Sequence, residues 1–222
     1  MNKILLQSDV VTKWYHDIGM PLDKTRIYSS EPFKTRSILF SPGGVFFPRD
    51  FTGYVFIDGI DFTEFIRRYV HESSHGSFFE NTDIGRRISD IDRQIYDKEI
   101  EMFSGPISDR KIVVLTQEGV KRPIQLSFSE AKRINDTLDC REYEYYLVGN
   151  NDFNEYKTLI YELNNLFDSF GDVIEGFALL VEYILLGIPP LEPLKGLQSY
   201  YKLYEIRRNG IGYVVDFLKR LR

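Results

Sequence analysis

One cysteine in 222 residues, Cys140, leaves no internal disulfide framework and is the usage expected of a reducing compartment. No apolar run approaches the roughly 18 residues a membrane span needs. The longest candidate, Phe177 to Leu186, is broken by Glu182. After Lys3 only Ile4-Leu5-Leu6 precede Gln7-Ser8-Asp9, too short for the apolar core of a signal peptide. There is no excess of positive charge. Lys and Arg number 28 against 33 Asp and Glu, a net charge of −5 with the signs interspersed, so nothing points to a nucleic-acid partner. Repeats and low-complexity tracts are absent too. A cytoplasmic chain without a membrane segment is expected, and 43% hydrophobic and 15% aromatic residues suffice for one packed domain over 1–222.

Histidine is scarce as well, with three in the chain, and two of them fall in one five-residue stretch, His71-Glu72-Ser73-Ser74-His75. On a helix, residues four apart lie one turn above each other, so both imidazoles aim at one point. Two neutral imidazoles at that spacing suit zinc, and a glutamate beside the first is placed to act as a base on water. The preceding residues support a helix, with Phe62, Phe65, Ile66, Tyr69 and Val70 forming an apolar stripe. Asp61 or Thr63 can cap its start, and Gly76 loosens the pattern after the second histidine.

The expected fold class is α+β, mainly helical, with a small N-terminal sheet and a helical C-terminal half. A short helix from about Leu5 to Ile18 leads into an irregular stretch. Strand-like runs follow at Ser37–Phe40, Gly43–Phe47 and Gly53–Ile57. Pro42 and Pro48 bracket the second run, which predicts an edge strand beside the motif helix, either a docking rail for an extended peptide or a plain sheet edge. The N-terminal part, 1–82, thus holds the edge strand and the motif. Residues 83–150 read as an insertion or lid-like segment. It opens with an amphipathic helix carrying Ile84, Ile88, Ile91 and Ile95, then a hairpin pairing Ile112–Thr116 with Ile124–Phe128, then a helix from Ser129 to Leu138. Arg141–Tyr146 alternates only weakly. The part from 151 to 222 predicts helices at 152–167, 171–186, 194–207 and 210–221.

A catalytic zinc usually takes three protein ligands. The glycine and histidine that metzincins need three and six residues after the second motif histidine are replaced by Phe78 and Asn81. His16 falls in the N-terminal helix and reads as a surface residue. Glu175 is the better third ligand, because a glutamate inside the apolar segment Gly171–Tyr183 is costly unless paired or on a metal. Small neighbours Gly176 and Ala178 would let its helix approach the motif helix. Glu182, seven residues on, shares its face and could itself be the ligand, back up a ligand, or end in solvent.

The pair of blocks, His-Glu-x-x-His and Glu175-Gly-Phe-Ala-x-x-x-Glu182, resembles the gluzincin clan of zinc metallopeptidases. The second block is similar to a segment of the aminopeptidase N family. The resemblance implies zinc held by His71, His75 and Glu175, with Glu72 as general base and a peptide or protein as substrate. It also implies an oxyanion donor downstream of the third ligand. No histidine follows His75, so a tyrosine must serve, with Tyr213 first and Tyr204 second. The block that anchors a substrate's free amine is missing, and Gly43-Gly-Val-Phe-Phe47 stands at its place. That narrows the implied activity to a metallopeptidase rather than an aminopeptidase. Two other readings stay open: a zinc site with a structural or different hydrolytic role, and a helical interaction protein whose motif is accidental. The last would be supported by imidazoles that point away from each other, or by a Glu175 more than about 10 Å from them.

Overall fold

Asp61 starts the motif helix as expected. Its carboxylate accepts a hydrogen bond from the backbone N–H of Glu64 at 2.8 Å, and the helix, α2, then runs from Phe62 to Asn81. A computed structural model of the protein describes residues 4–32, 39–41, 43–104, 111–116, 143–148, 151–190 and 197–221. The fold is mainly helical α+β.

The chain divides into two compact units. The first comprises Met1–Phe33, Ser37–Arg93 and Leu163–Arg222. Its sheet has five strands: β1 (Ile4–Leu6), β2 (Arg26–Ser30), β3 (Leu39–Ser41), β4 (Gly44–Phe47) and β5 (Thr52–Phe56), in the order β1-β2-β5-β4-β3. Only β2 and β5 run parallel. The strand expected at the edge, 43–47, is therefore paired on both sides, and β1 and β3 form the edges. The prolines misled because Pro48 lies just outside the ladder, where it opens a 3-10 turn, Pro48–Asp50. No free rail for a peptide exists at β4. Two strands sit where none is expected: Leu5 belongs to β1 rather than to the first helix, and Arg26–Ser30 forms β2 within the stretch expected to be irregular. Helix α1 begins at Asp9, after Ser8 caps it, and ends at Asp17.

α2 packs on β2, β4 and β5. Residues Glu72 to Phe79 are all buried, so this stretch is enclosed all round instead of showing one stripe. Its serines make that possible. Ser74 hydrogen-bonds Tyr15 of α1 at 2.7 Å, and Ser77 donates to the carbonyl of Met20 at 2.9 Å. Gly76 does not end the helix. A Cβ there would lie 2.3 Å from Oγ1 of Thr25, so the glycine admits the β2 entry loop against α2.

Helix α3 spans Asp83–Ser104 and buries Ile84, Ile88, Ile91 and Ile95. In the C-terminal part, the two helices expected at 152–167 and 171–186 are one, α4, 36 residues from Asn151 to Leu186. Gly171 meets nothing within 4 Å, so it is tolerated without breaking the helix. α5 (Leu197–Arg207) and α6 (Ile211–Lys219) pack together. Gly176 of α4 does not face α2, as supposed. An added Cβ would stand 2.8 Å from the backbone nitrogen of Tyr200, so the small residue seats α5.

The second unit comprises Lys34–Arg36 and Gln94–Glu162, and α3 and α4 each contribute residues to both units. It holds an antiparallel pair, β6 (Lys111–Thr116) with β7 (Tyr143–Val148), and an ion pair between Lys98 and Glu155 at 2.7 Å. β6 thus pairs with the weakly alternating stretch. The expected partner, Ile124–Phe128, and the helix at 129–138 lie outside the described residues. Among the described residues, no helix is long and apolar enough to cross a membrane.

Candidate metal centre

One turn of α2 and two turns of α4 supply the site. His71 and His75 stand with ring centroids 4.7 Å apart and planes at 88°. Nε2 of His71 lies 3.4 Å from Oε2 of Glu175, and Nε2 of His75 lies 3.5 Å from its Oε1. One ligand atom from each of the three residues can be chosen so that all lie within 4.8 Å of one another. These separations exceed the ~2.7–3.2 Å of a good N–H···O bond. Two donors on a tetrahedral zinc, at bond lengths of ~2.0–2.2 Å, stand about 3.4 Å apart. The three groups are thus spaced to share a central cation more readily than to bond one another. The two imidazoles do not diverge, and Glu175 lies within 4 Å of both.

Glu182 settles its own position. It is buried, and its Oε1 accepts a hydrogen bond from Nδ1 of His71 at 2.6 Å. A carboxylate only accepts, so Nδ1 carries the hydrogen and Nε2 is left facing Glu175. The other oxygen of Glu182 receives NH1 of Arg67 at 3.2 Å. Arg67 in turn grips Glu64 through Nε and NH2, both at 2.7 Å. Arg68 shares Glu64 at 2.7 Å and donates to the carbonyl of Phe56 at 2.8 Å, tying α2 to β5. Sequence reasoning did not single out Glu64 and Arg67. The signal was present, because 64, 67, 71 and 75 recur at helical spacing along one face of α2.

Burial opposes charge on His71, but the carboxylates of Glu175 and Glu182, one beside each ring nitrogen, outweigh it and lift the pKa to about 10. Burial pushes His75 down to about 4. Burial would also raise Glu175, yet the two imidazoles hold it below the usual carboxylate range. Its side chain is 40% exposed, so the site opens to solvent on the α4 side. Nδ1 of His75 is buried and without a hydrogen-bond partner among the described residues.

Glu72 is 3% exposed and reaches down onto the sheet. An added Cβ at Gly44 would lie 2.4 Å from its Oε1, so only glycine fits beneath it. Its Oε2 is buried without a partner among the described residues, and burial raises its pKa to about 8.

No family model, curated protein or solved structure matches the chain. The remaining sequence candidates fall outside the cluster. His16 is exposed. Tyr204 of α5 packs its ring against Tyr183 and Tyr200, and Tyr213 of α6 is 59% exposed.

Proposed function

We propose that the protein is a zinc-dependent hydrolase of peptide bonds, with His71, His75 and Glu175 as metal ligands and Glu72 as general base. The observation that carries this reading is the convergence of two Nε2 atoms and one carboxylate, from two helices, at separations of 3.4 and 3.5 Å. The donor set, two imidazoles and a carboxylate, is one that suits catalytic zinc. The charges also favour a dication. Glu64, Glu72, Glu175 and Glu182 gather four carboxylates near two guanidiniums, Arg67 and Arg68. With both histidines neutral and Glu72 ionised, as a bound dication would favour, two negative charges remain to be matched.

Bound there, zinc would polarise the scissile carbonyl and acidify a water. The chain's own groups supply the rest. Glu175 and the two imidazoles fix the position of the reacting centre. Glu182 holds His71 in the tautomer with Nε2 free to ligate. Glu72 takes a proton from the attacking water and passes it to the leaving amine. A carboxyl whose pKa lies near neutrality is suited to both transfers, and that of Glu72 is already raised by burial. Tyr204 is the preferred oxyanion donor over Tyr213. It is half-buried beside Tyr183, the residue after Glu182, while Tyr213 projects into solvent.

Metal analysis of the purified protein, with hydrolysis of a quenched-fluorescent peptide library, tests this proposal. Stoichiometric zinc and peptide cleavage lost on chelation are expected. Glu72→Gln should keep the metal and lose cleavage. A fully active Glu72→Gln protein would refute the mechanism, and a folded protein that takes up no zinc would refute the site.

A further inference from the structure

The metal ligands are backed by a line of charges that reaches the surface: His71, Glu182, Arg67 and Glu64. Exposure is lowest at Glu182 and greatest at the outer pair. The side chains are 16% and 3% exposed at His71 and Glu182, then 33% and 31% at Arg67 and Glu64. Glu182 therefore sits where an oxygen left without a donor is costly. Its two oxygens have divided duties, one to Nδ1 of His71 and one to Arg67. If the second contact is lost, the carboxylate is free to rotate, and the hydrogen bond that orients His71 loses its fixed direction.

Arg67 is suited to this task in a way that lysine is not. Its planar fork grips both oxygens of Glu64 through Nε and NH2, which leaves NH1 aimed at Glu182. Glu64 in turn is fixed by the backbone, since its own N–H is bonded to the Asp61 cap. The start of α2 thus becomes the rigid base for an orientation set one helical turn further on. Arg67 and His71 are four residues apart on the same helix, so both meet Glu182 from one side.

We infer that Arg67 is a positioning residue of the metal centre, acting through Glu182 on the ring of His71. The inference rests on the metal reading above. It assigns Arg67 a part in metal affinity that an ordinary surface ion pair would lack, because such pairs contribute little to anything but local order.

Zinc affinity is measured by competition with a chromophoric chelator for wild type, Arg67→Met, Arg67→Lys, Glu182→Gln, Glu64→Gln and the Arg67→Met/Glu182→Gln double variant. The visible bands of the cobalt-substituted proteins are recorded alongside. Arg67→Met is expected to weaken zinc by about 10–100-fold, the range for losing an outer partner of a ligating histidine. Arg67→Lys, which keeps the charge and loses the fork, should fall between Met and wild type. Glu64→Gln, which loosens the grip on Arg67 but leaves its contact with Glu182, should weaken zinc less than Arg67→Met does. The double variant should bind no more weakly than the worse single, because both changes cut the same line. The cobalt bands should shift more in Arg67→Met than in Glu64→Gln. Equal zinc affinity for Arg67→Met and wild type overturns the inference and leaves the metal reading standing. So do additive losses in the double variant, or a Glu64→Gln loss as large as that of Arg67→Met. A folded wild-type protein that binds neither zinc nor cobalt overturns both. Should Arg67→Met fail to fold, Arg67→Lys against Glu64→Gln makes the same comparison.

Discussion

Replacing Glu72 by glutamine should stabilise the metal-free protein while it destroys the activity proposed for it. Glu72 is 3% exposed and its folded pKa is about 8, against 4.5 for an ordinary glutamate. Below pH 4.5 the carboxyl is neutral in both folded and unfolded chains and costs nothing. As pH rises, the unfolded chain loses the proton first, so folding must carry an extra proton or a buried charge. The penalty grows from pH 4.5 and is complete above pH 8. At 1.36 kcal/mol per pK unit it amounts to about 1 kcal/mol at pH 5 and about 4 kcal/mol at pH 8. Glutamine keeps the shape above Gly44 and has no proton to lose. In chelator, Glu72→Gln should therefore melt a few degrees above wild type at pH 5 and roughly 10 °C above it at pH 8, at about 2–4 °C per kcal/mol for a chain this size. Adding zinc should narrow the gap, because a dication beside the carboxylate lowers its pKa. Calorimetric or fluorescence melts of both proteins across pH 5–8 decide the matter. Coincident curves at pH 8, or a glutamine variant less stable than wild type, would refute the reasoning that Glu72 is held as a strained, poised acid.

Other outcomes follow from the same geometry. Glu175→Ala should lose zinc by more than the 10–100-fold expected for an outer partner, as read by metal analysis after gel filtration. Gly44→Ala places a Cβ 2.4 Å from Oε1 of Glu72 and 2.7 Å from the carbonyl of Tyr54. It should cost about 1–3 kcal/mol in denaturant titration and lower peptide cleavage, with zinc retained. Gly176→Ala should destabilise by a similar amount by pushing α5 from α4, since its Cβ would meet backbone at 2.8 Å. Tyr204→Phe should lower kcat by about 100-fold with KM little changed, and Tyr213→Phe should leave both unchanged.

The features legible in the sequence were those with a local cause. The Asp61 cap and the isoleucines of α3 declare themselves within a few residues and are found in the structure, while of the α2 stripe Tyr69 and Val70 are buried and Phe62 is exposed. His71, His75 and Glu175 were legible because polar groups stand out in apolar helices, and the structure brings them together. Long-range causes were not legible. Whether 43–47 is an edge depends on where β3 and β5 lie, which prolines at its ends do not encode. Glycines at 76, 171 and 176 look alike in sequence. Yet one admits a loop, one is simply tolerated in a long helix, and one seats α5. The nearer run, 124–128, has the local pattern of a partner for β6, but the pairing goes to residues 143–148, which alternate only weakly.

The two glutamates of α4 have a consequence for assembly. Seven residues on one helix set Glu175 and Glu182 about 10.5 Å apart along its axis, and a single imidazole fills the interval, one nitrogen toward each. His71 is in effect a gauge block between α2 and α4. A slide of α4 by one turn, about 5.4 Å, would carry both carboxylates past it together and strand the buried carboxylate of Glu182 and the ring of His71 at once. Apolar faces such as that of Ile174, Phe177 and Val181 tolerate several alignments with modest loss, but this trio accepts one. The cluster that would hold the metal therefore also dictates how the two helices meet before any metal arrives.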